Sequence, residues 1–580
     1  TSGYIPVLPR IAPDGQVAFA AFLTGPAVDE TNDAAIWTGL PGGNLAVAAR
    51  AGDQVPDLPA GVVFESFSVD FALISPEVGS GALGILASAT GSGITTSNDH
   101  GVWKYDGGEI SMVAREGDVA PGAGAGVVFG GIFGAEVSGL GDLSLRASLA
   151  GPGVTAANDE GFWTDRDGAL EAFLREGDQV PDLPAGIVVG GAGQYVGTGY
   201  NFESSTFNEA SRHALQANVT GPGVHTFNNE AIWREQNGAL HLLAREGDPA
   251  PGAGPGVTFG GNSVVVLFSP ISYNALGQSA FDARLGGAMP TTTAMFSDHG
   301  GALAPVFMPG DPAPGTSDLF GVFGGPLLGE SGRIAFRSAL SSGGMYPPFG
   351  IWWDQPGPAG ELVALVLPVQ SLPEDHSVMI IGTSFLYAFN AAGQLAFQAT
   401  LEDPVRGIRE ALLLAQPDGT LRVVLDTANP FDVHGDGSDV RAVASFDFGG
   451  MDDAGTMAIR LDFEDGTFGF YAAGGGVATS VVAGPERAKG LGLATIAPNP
   501  FRSATTMRFD LPERATVRVD IVDVAGRLVV RLLDGPRGAG NHSVAWSGTD
   551  GTGRRVGPGV YFVRAVSDGG TQSKKIVRVD

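Results

Sequence analysis

Asn274-Ala275-Leu276-Gly277-Gln278-Ser279-Ala280-Phe281 and Asn390-Ala391-Ala392-Gly393-Gln394-Leu395-Ala396-Phe397 place Asn, Gly, Ala and Phe at the same spacing. Asp14-Gly15-Gln16-Val17-Ala18-Phe19 keeps the second half of the pattern. Weaker versions recur around Gly81, Gly141, Gly332 and Gly455, and Ser211 replaces the glycine once. The eight anchors lie 66, 60, 70, 66, 55, 61 and 62 residues apart, so the chain up to about residue 484 is a tandem array.

Three landmarks follow an anchor. An alternating run comes first, then an Asn-Asp step leading to a tryptophan, as in Asn98-Asp99 to Trp103 and Asn158-Asp159 to Trp163. Third is a strand ending in a sharp turn, such as Arg115-Glu116-Gly117-Asp118, Arg175-Glu176-Gly177-Asp178 and Arg245-Glu246-Gly247-Asp248. Period-two alternation between Gly, Pro, Asn and Asp gives about four short strands per unit and no helix. One such sheet cannot cover both its faces alone, whereas radial packing of sheets does so. The expected fold is therefore all-β, a β-propeller of about eight four-stranded blades with Trp and Phe between them. A linear solenoid or a string of sandwiches is the alternative. Only three runs follow Gly455, so residues 3–9 are expected to close the ring, or a neighbour's ring, as a fourth strand.

The charge balance changes abruptly near residue 490. Residues 490–580 hold 13 Lys or Arg and 8 Asp or Glu, a net +5. The rest of the chain is left at −34 out of a total of −29. The domain reading is a propeller over 1–484, a linker at 485–490 and a β-sandwich over 491–580. Runs at 506–511, 517–524, 528–533, 543–546, 560–566 and 573–579 are cues for an immunoglobulin-like sandwich. Without cysteine there is no disulfide, thiol nucleophile or zinc-thiolate site. The acidic balance disfavours nucleic acid, and no apolar run is long enough to span a bilayer.

Pro498-Asn499-Pro500-Phe501, Val522-Asp523-Val524-Ala525-Gly526-Arg527 and Gly559-Val560-Tyr561-Phe562-Val563-Arg564 resemble the Ig-like domain of the flagellar hook-capping protein. They also resemble the C-terminal sorting domains of type IX secretion substrates. That likeness implies export, surface display and no catalytic residues in this domain. The anchors resemble those of bacterial secreted tandem-repeat proteins named for Asn-x-x-Gly-x-x-Ala-Phe. This implies an extracellular or cell-surface location without specifying chemistry.

Catalytic patterns are sparse. Histidines 100, 213, 225, 241, 299, 376, 434 and 542 are scattered, with no His-x-x-x-His pair, no phosphate loop and no Gly-x-Ser-x-Gly elbow. The Arg-Glu-Gly-Asp turns read as scaffold, with Arg115, Arg175 and Arg245 pairing with acids of neighbouring blades and Asp118, Asp178 and Asp248 tying their turns. Asp432, Asp436 and Asp439 sit in one Gly-containing loop and form a candidate calcium site, and no other cofactor is required. The expected function is non-enzymatic: a self-associating subunit of an extracellular filament or layer. A glycan-binding adhesin is the alternative, followed by a hydrolase using non-repeating loops at 194–207 or 346–353.

Overall fold

In the computed structural model every regular element is a β-strand, and no helix occurs among the described residues. The structure describes residues 9–579 except 30, 42, 68–80, 191–201, 261–270, 289–291, 309, 342–348, 355–361, 368, 373–374, 434–437, 475–476, 480–491, 498–500, 503–504, 512–514, 524–526, 538–539 and 568–569. The chain divides into two compact units, residues 1–435 with 440–481 and residues 482–580 with 436–439. The expected linker at 485–490 lies outside the described residues.

Each anchor folds as a reverse turn. Its glycine takes φ between +76° and +88° in seven units, and Ser211 takes +56° in the other. The turn pairs the strand before it with the strand after it: Val137 faces Leu143, Phe207 faces His213 and Met451 faces Met457. Each sheet thus consists of the strand preceding an anchor and the three that follow it. Among the described residues there are eight such sheets. In the fourth, fifth and sixth the strand before the anchor is split, as in Val257–Phe259 and Ser272–Tyr273, and the seventh adds Gln370–Leu372 as a fifth strand.

This grouping changes the strand count of the last unit. The eighth sheet has four strands of its own, Val443–Met451, Met457–Phe463, Phe468–Gly474 and Val477–Thr479. Its fourth member precedes the anchor, where the sequence reading looked only after it. Arg10–Ile11 pairs with Val17–Phe22 inside the first sheet. Of the expected closing strand, 3–9, residues 3–8 lie outside the described residues.

Neighbouring sheets share apolar walls. Eight buried clusters each join two consecutive sheets, and the last joins the eighth to the first through Ala458, Ile11 and Val17. Phe19 against Phe470, at 5.1 Å, and the Asp453 N–H donating to Pro13 O at 3.2 Å complete that seam. The first unit is therefore an eight-bladed β-propeller, its eighth and first blades packed against each other among the described residues. Burial of each large side chain at these walls contributes on the order of 1.5–3 kcal/mol.

The tryptophans sit where expected. Trp103, Trp163, Trp233 and Trp352 are fully buried, each against the preceding blade. Trp163 and Trp352 meet inner-strand Phe129 and Phe320 edge to face at 5.0 and 5.1 Å. Their indole N–H groups donate to Pro121 O and Pro314 O, and Trp233 donates to Pro181 O. The Pro/Gly loop of one unit thus receives the indole of the next.

The anchor asparagine is a bolt between blades. Asn274 Oδ1 accepts from Gln278 N–H at 3.0 Å within its own turn, while Nδ2 donates to Gly329 O at 3.0 Å in the next blade. Asn208 reaches Asn274 O and Asn390 reaches Asp452 O in the same way. Asn274 is 0% exposed. Asn274→Ala should cost about 1–2 kcal/mol, by leaving the Gln278 N–H without its acceptor and Gly329 O with the Gly332 N–H as its remaining donor, which urea unfolding of the full chain would measure.

The second unit is a seven-stranded sandwich. Gly492–Ala497, Thr505–Leu511 and Gly540–Trp546 form one sheet, in which Gly492–Ala497 is the strand absent from the sequence reading. Leu528–Arg537, Ala515–Asp523, Gly559–Ser567 and Gly570–Arg578 form the other. Trp546, Phe501, Met507, Val519 and Ile576 fill its core without cysteine.

Candidate functional site

Polar side chains recurring at equivalent places are the natural candidates for chemistry, and most are spent on the fold. Arg175 and Arg245 donate through Nε to Asn158 O and Asn228 O of their own blade, at 2.8 and 2.9 Å. Arg115 reaches Asp118 of its own turn at 3.5 Å. The expected partners, acids of neighbouring blades, are therefore not the ones found: Arg175 and Arg245 close the adjacent Asn turn, and Arg175 reaches the preceding blade only at a carbonyl, Ala123 O, at 2.9 Å. Glu176 accepts from the Asp159 and Glu160 N–H groups, which start the tryptophan strand. Glu176 and Glu246 are buried, and the following inner strand makes room for them with Gly190 and Gly260. A Cβ at Gly260 would stand 2.6 Å from Glu246 Cγ.

A second polar layer was not anticipated. Two residues beyond the strand aromatic stand Asp165, Glu235, Asp298 and Asp354. Each accepts a backbone N–H from the strand after its anchor: Leu143, His213, Ser279 and Ile334. Each also meets a basic group from the preceding blade: Lys104 at 3.0 Å, Arg166 at 2.5 Å, Arg234, and His299 at 3.6 Å. These pairs form a belt across blades two to six.

Within that belt lies the constellation closest to a catalytic one. Ser144 Oγ is 2.8 Å from His213 Nε2, and His213 Nδ1 is 3.4 Å from Glu235 Oε2. Serine, imidazole and carboxylate in this order are the components of an activated nucleophile. The Nδ1 contact lacks hydrogen-bond geometry, however. His213 is 1% exposed and lies between Phe173, stacked at 4.0 Å, and Phe207 at 4.6 Å. Burial lowers its pKa and keeps the ring neutral, against the pull of Glu235. Burial also works against the Glu235 carboxylate, but bonds from His213 and Arg166 outweigh it and the pKa is lowered. A cleft of about 570 Å³ beside it is lined by Thr164, Arg166, Phe173, Asp178, Gln179 and Glu235. Neither Ser144 nor His213 lines this cleft, so the serine is shut away from a substrate. The arrangement acts as a latch between blades three and four.

At the anchors, position two alternates between small and acidic residues: Gly139, Glu209, Ala275, Glu330, Ala391 and Asp453. Glu330 accepts from Ala275 N–H and Asp453 from Ala391 N–H, each in the preceding blade. Burial pushes Glu209 up to about 7, and the Glu330 and Asp453 charges push the same way.

The residues proposed from sequence fall differently. Asp432 ends the short strand Phe431–Asp432 and Asp439 precedes its partner Val440–Arg441, while Asp436 lies outside the described residues. Of the loops offered for hydrolysis, 194–201 and 346–348 also lie outside them. The remainder are strands, with Phe207, Trp352 and Trp353 buried in the core. No helix among the described residues is long and apolar enough to cross a membrane.

Among solved structures, PorZ, a bacterial surface component of the type-IX secretion system of Porphyromonas gingivalis, is 13% identical with a TM-score of 0.29. The match covers 98% of this chain and 64% of that one, so this chain spans less than two thirds of PorZ's length. The β-propeller domain of the Trilobed protease from Pyrococcus furiosus is 10% identical with a TM-score of 0.32, covering 72% and 96%. A PL25 ulvan lyase is 11% identical with a TM-score of 0.28, covering 82% and 96%. At these values the likenesses carry no functional argument. No curated protein matches the sequence. Residues 498–571 match the FlgD Ig-like domain, in agreement with the sandwich seen there. Three further matches, over residues 4–187, 184–295 and 288–486, fall to one family model and span all eight blades, and the chain belongs to that Family of unknown function (DUF7453).

Proposed function

We propose that this chain is a non-enzymatic protein of the cell surface or extracellular space, a propeller scaffold that assembles with its own copies into a filament or layer. One observation carries the reading: the recurring Asn, Arg, Glu and Asp side chains are consumed in bonds within blades and between them, and Ser144 and His213 are buried away from the adjoining cleft. The charge contrast supports assembly, since a +5 module and a −34 propeller attract across copies and salt weakens that attraction. The FlgD-type module and the likeness to secreted Asn-x-x-Gly-x-x-Ala-Phe repeat proteins support the location. Size exclusion and electron microscopy over a salt series test it. Polymers at low ionic strength that dissociate as salt rises are expected, and monomers at every ionic strength would reject the reading.

A glycan-binding role is favoured by a different feature. Phe385, 57% exposed, stacks with Tyr387 at 6.0 Å, and Tyr387 stacks with Phe448 of the next blade at 4.6 Å. Gln398 and Glu410 adjoin this aromatic row. Binding on a glycan array that Phe385→Ala abolishes would select this reading over assembly. Calcium at Asp432, Asp436 and Asp439 is likewise a proposal, decided by Ca²⁺ calorimetry on the wild type and Asp436→Ala.

A further inference from the structure

The second blade departs from its neighbours at one residue. Where the third and fourth blades carry Glu160 and Glu230 at the start of the tryptophan strand, the second carries His100. The glutamate of the following turn is common to all three, as Glu116, Glu176 and Glu246. In the third blade that glutamate is buried on backbone N–H groups. In the second, the imidazole joins it and Asp99 in a group of three ligand atoms, all within 4.8 Å of one another. His100 Nδ1 is 3.3 Å from Asp99 Oδ1 and 3.9 Å from Glu116 Oε2.

We propose that Asp99, His100 and Glu116 form a binding site for a divalent first-row transition ion, zinc being the best fit. Tetrahedral zinc with bonds of about 2.0–2.2 Å sets its ligand atoms about 3.3 Å apart. One edge of the group already has that length, rotation of the half-exposed imidazole shortens the edge to Glu116, and a shift of the two carboxylates closes the third. Calcium is a poorer fit because it selects oxygen ligands, and the imidazole contributes nitrogen. The backbone holds the ligands in place: Asp99 O accepts from Ala89 N–H at 2.7 Å, and His100 O accepts from Glu116 N–H at 2.9 Å. Arg115, the nearest guanidinium in sequence, is directed to Asp118. His100 has half its side-chain surface in solvent, leaving a fourth position for water or for a carboxylate of another molecule.

The test is calorimetry with zinc chloride on the tag-free full chain, alongside His100→Ala, Asp99→Asn and Asp436→Ala. The fourth blade carries Asn229 where Asp99 stands, so Asp99→Asn keeps a side chain that this fold already holds at that place. The wild type and Asp436→Ala are expected to bind one zinc at this site, with affinity falling at least about tenfold in His100→Ala and measurably in Asp99→Asn. Cobalt provides a second readout, as a tetrahedral d–d absorption band that His100→Ala abolishes. An absence of binding heat in the wild type, or equal stoichiometry and affinity in His100→Ala, would overturn the site. Metal-free melting temperatures of the variants within a degree of wild type establish that the losses come from ligands and not from misfolding.

Discussion

Glu235→Ala lowers the unfolding free energy of the propeller by about 3–5 kcal/mol, the largest effect expected of any single polar replacement here. The carboxylate is 2% exposed and serves three groups at once: the His213 backbone N–H, Arg166 of the preceding blade and the His213 ring. Removing it leaves a buried N–H without its acceptor and takes the nearest carboxylate from Arg166, which keeps Ser211 O and the more distant Asp167. Arg166→Met alone should cost less, and the double variant less than the sum, because the less well paired charge is then gone. Urea unfolding followed by tryptophan fluorescence reads all three. A midpoint for Glu235→Ala indistinguishable from wild type would show that the belt does not bear on stability.

Acidity is the second large lever. Burial raises Glu136, Glu209 and Glu246 from the ordinary carboxylate value to about 7. An acid whose folded pKa exceeds its unfolded one favours the fold in its protonated form. The stabilisation is complete below about pH 4.5 and is lost as pH rises through about 7. Three such groups together remove a few kcal/mol between pH 5 and 8, after allowance for solvent screening. The melting temperature should therefore fall over that interval, in a protein whose surface charge also grows more negative. Glu246→Gln should flatten the curve, since Glu246 Oε1 is buried without a hydrogen-bond partner. A melting temperature that rises from pH 5 to 8 would contradict this account.

The repeat made most of the fold legible. Gly277 and its equivalents announce turns, alternation announces strands, and spacing of about 60 residues announces blades. The phase was harder to read. The strand before an anchor, such as Val443–Met451, is contiguous with the previous unit in sequence but hydrogen-bonds forward. The ion-pair belt left little trace because its partners come from different units: Arg166 and Glu235 are 69 residues apart. His213 did carry a signal, since it stands two residues after its anchor where other units have Leu83, Leu143 and Leu395. A titratable ring at a register position that is apolar in every other unit except the fifth, which has Ser279, marks a buried polar network. His100 differs in that its role depends on a turn 16 residues later in the chain.

Among the described residues each blade is assembled from consecutive stretches of chain, so every blade is a self-contained module. Circular permutants cut between blades would keep all their sheets intact. Duplicating or excising one module of about 60 residues would likewise leave the remaining sheets whole, changing only the circumference and the angle between neighbours. Ring size in such a protein is set by copy number, so relatives with seven or nine modules can be built from the same parts.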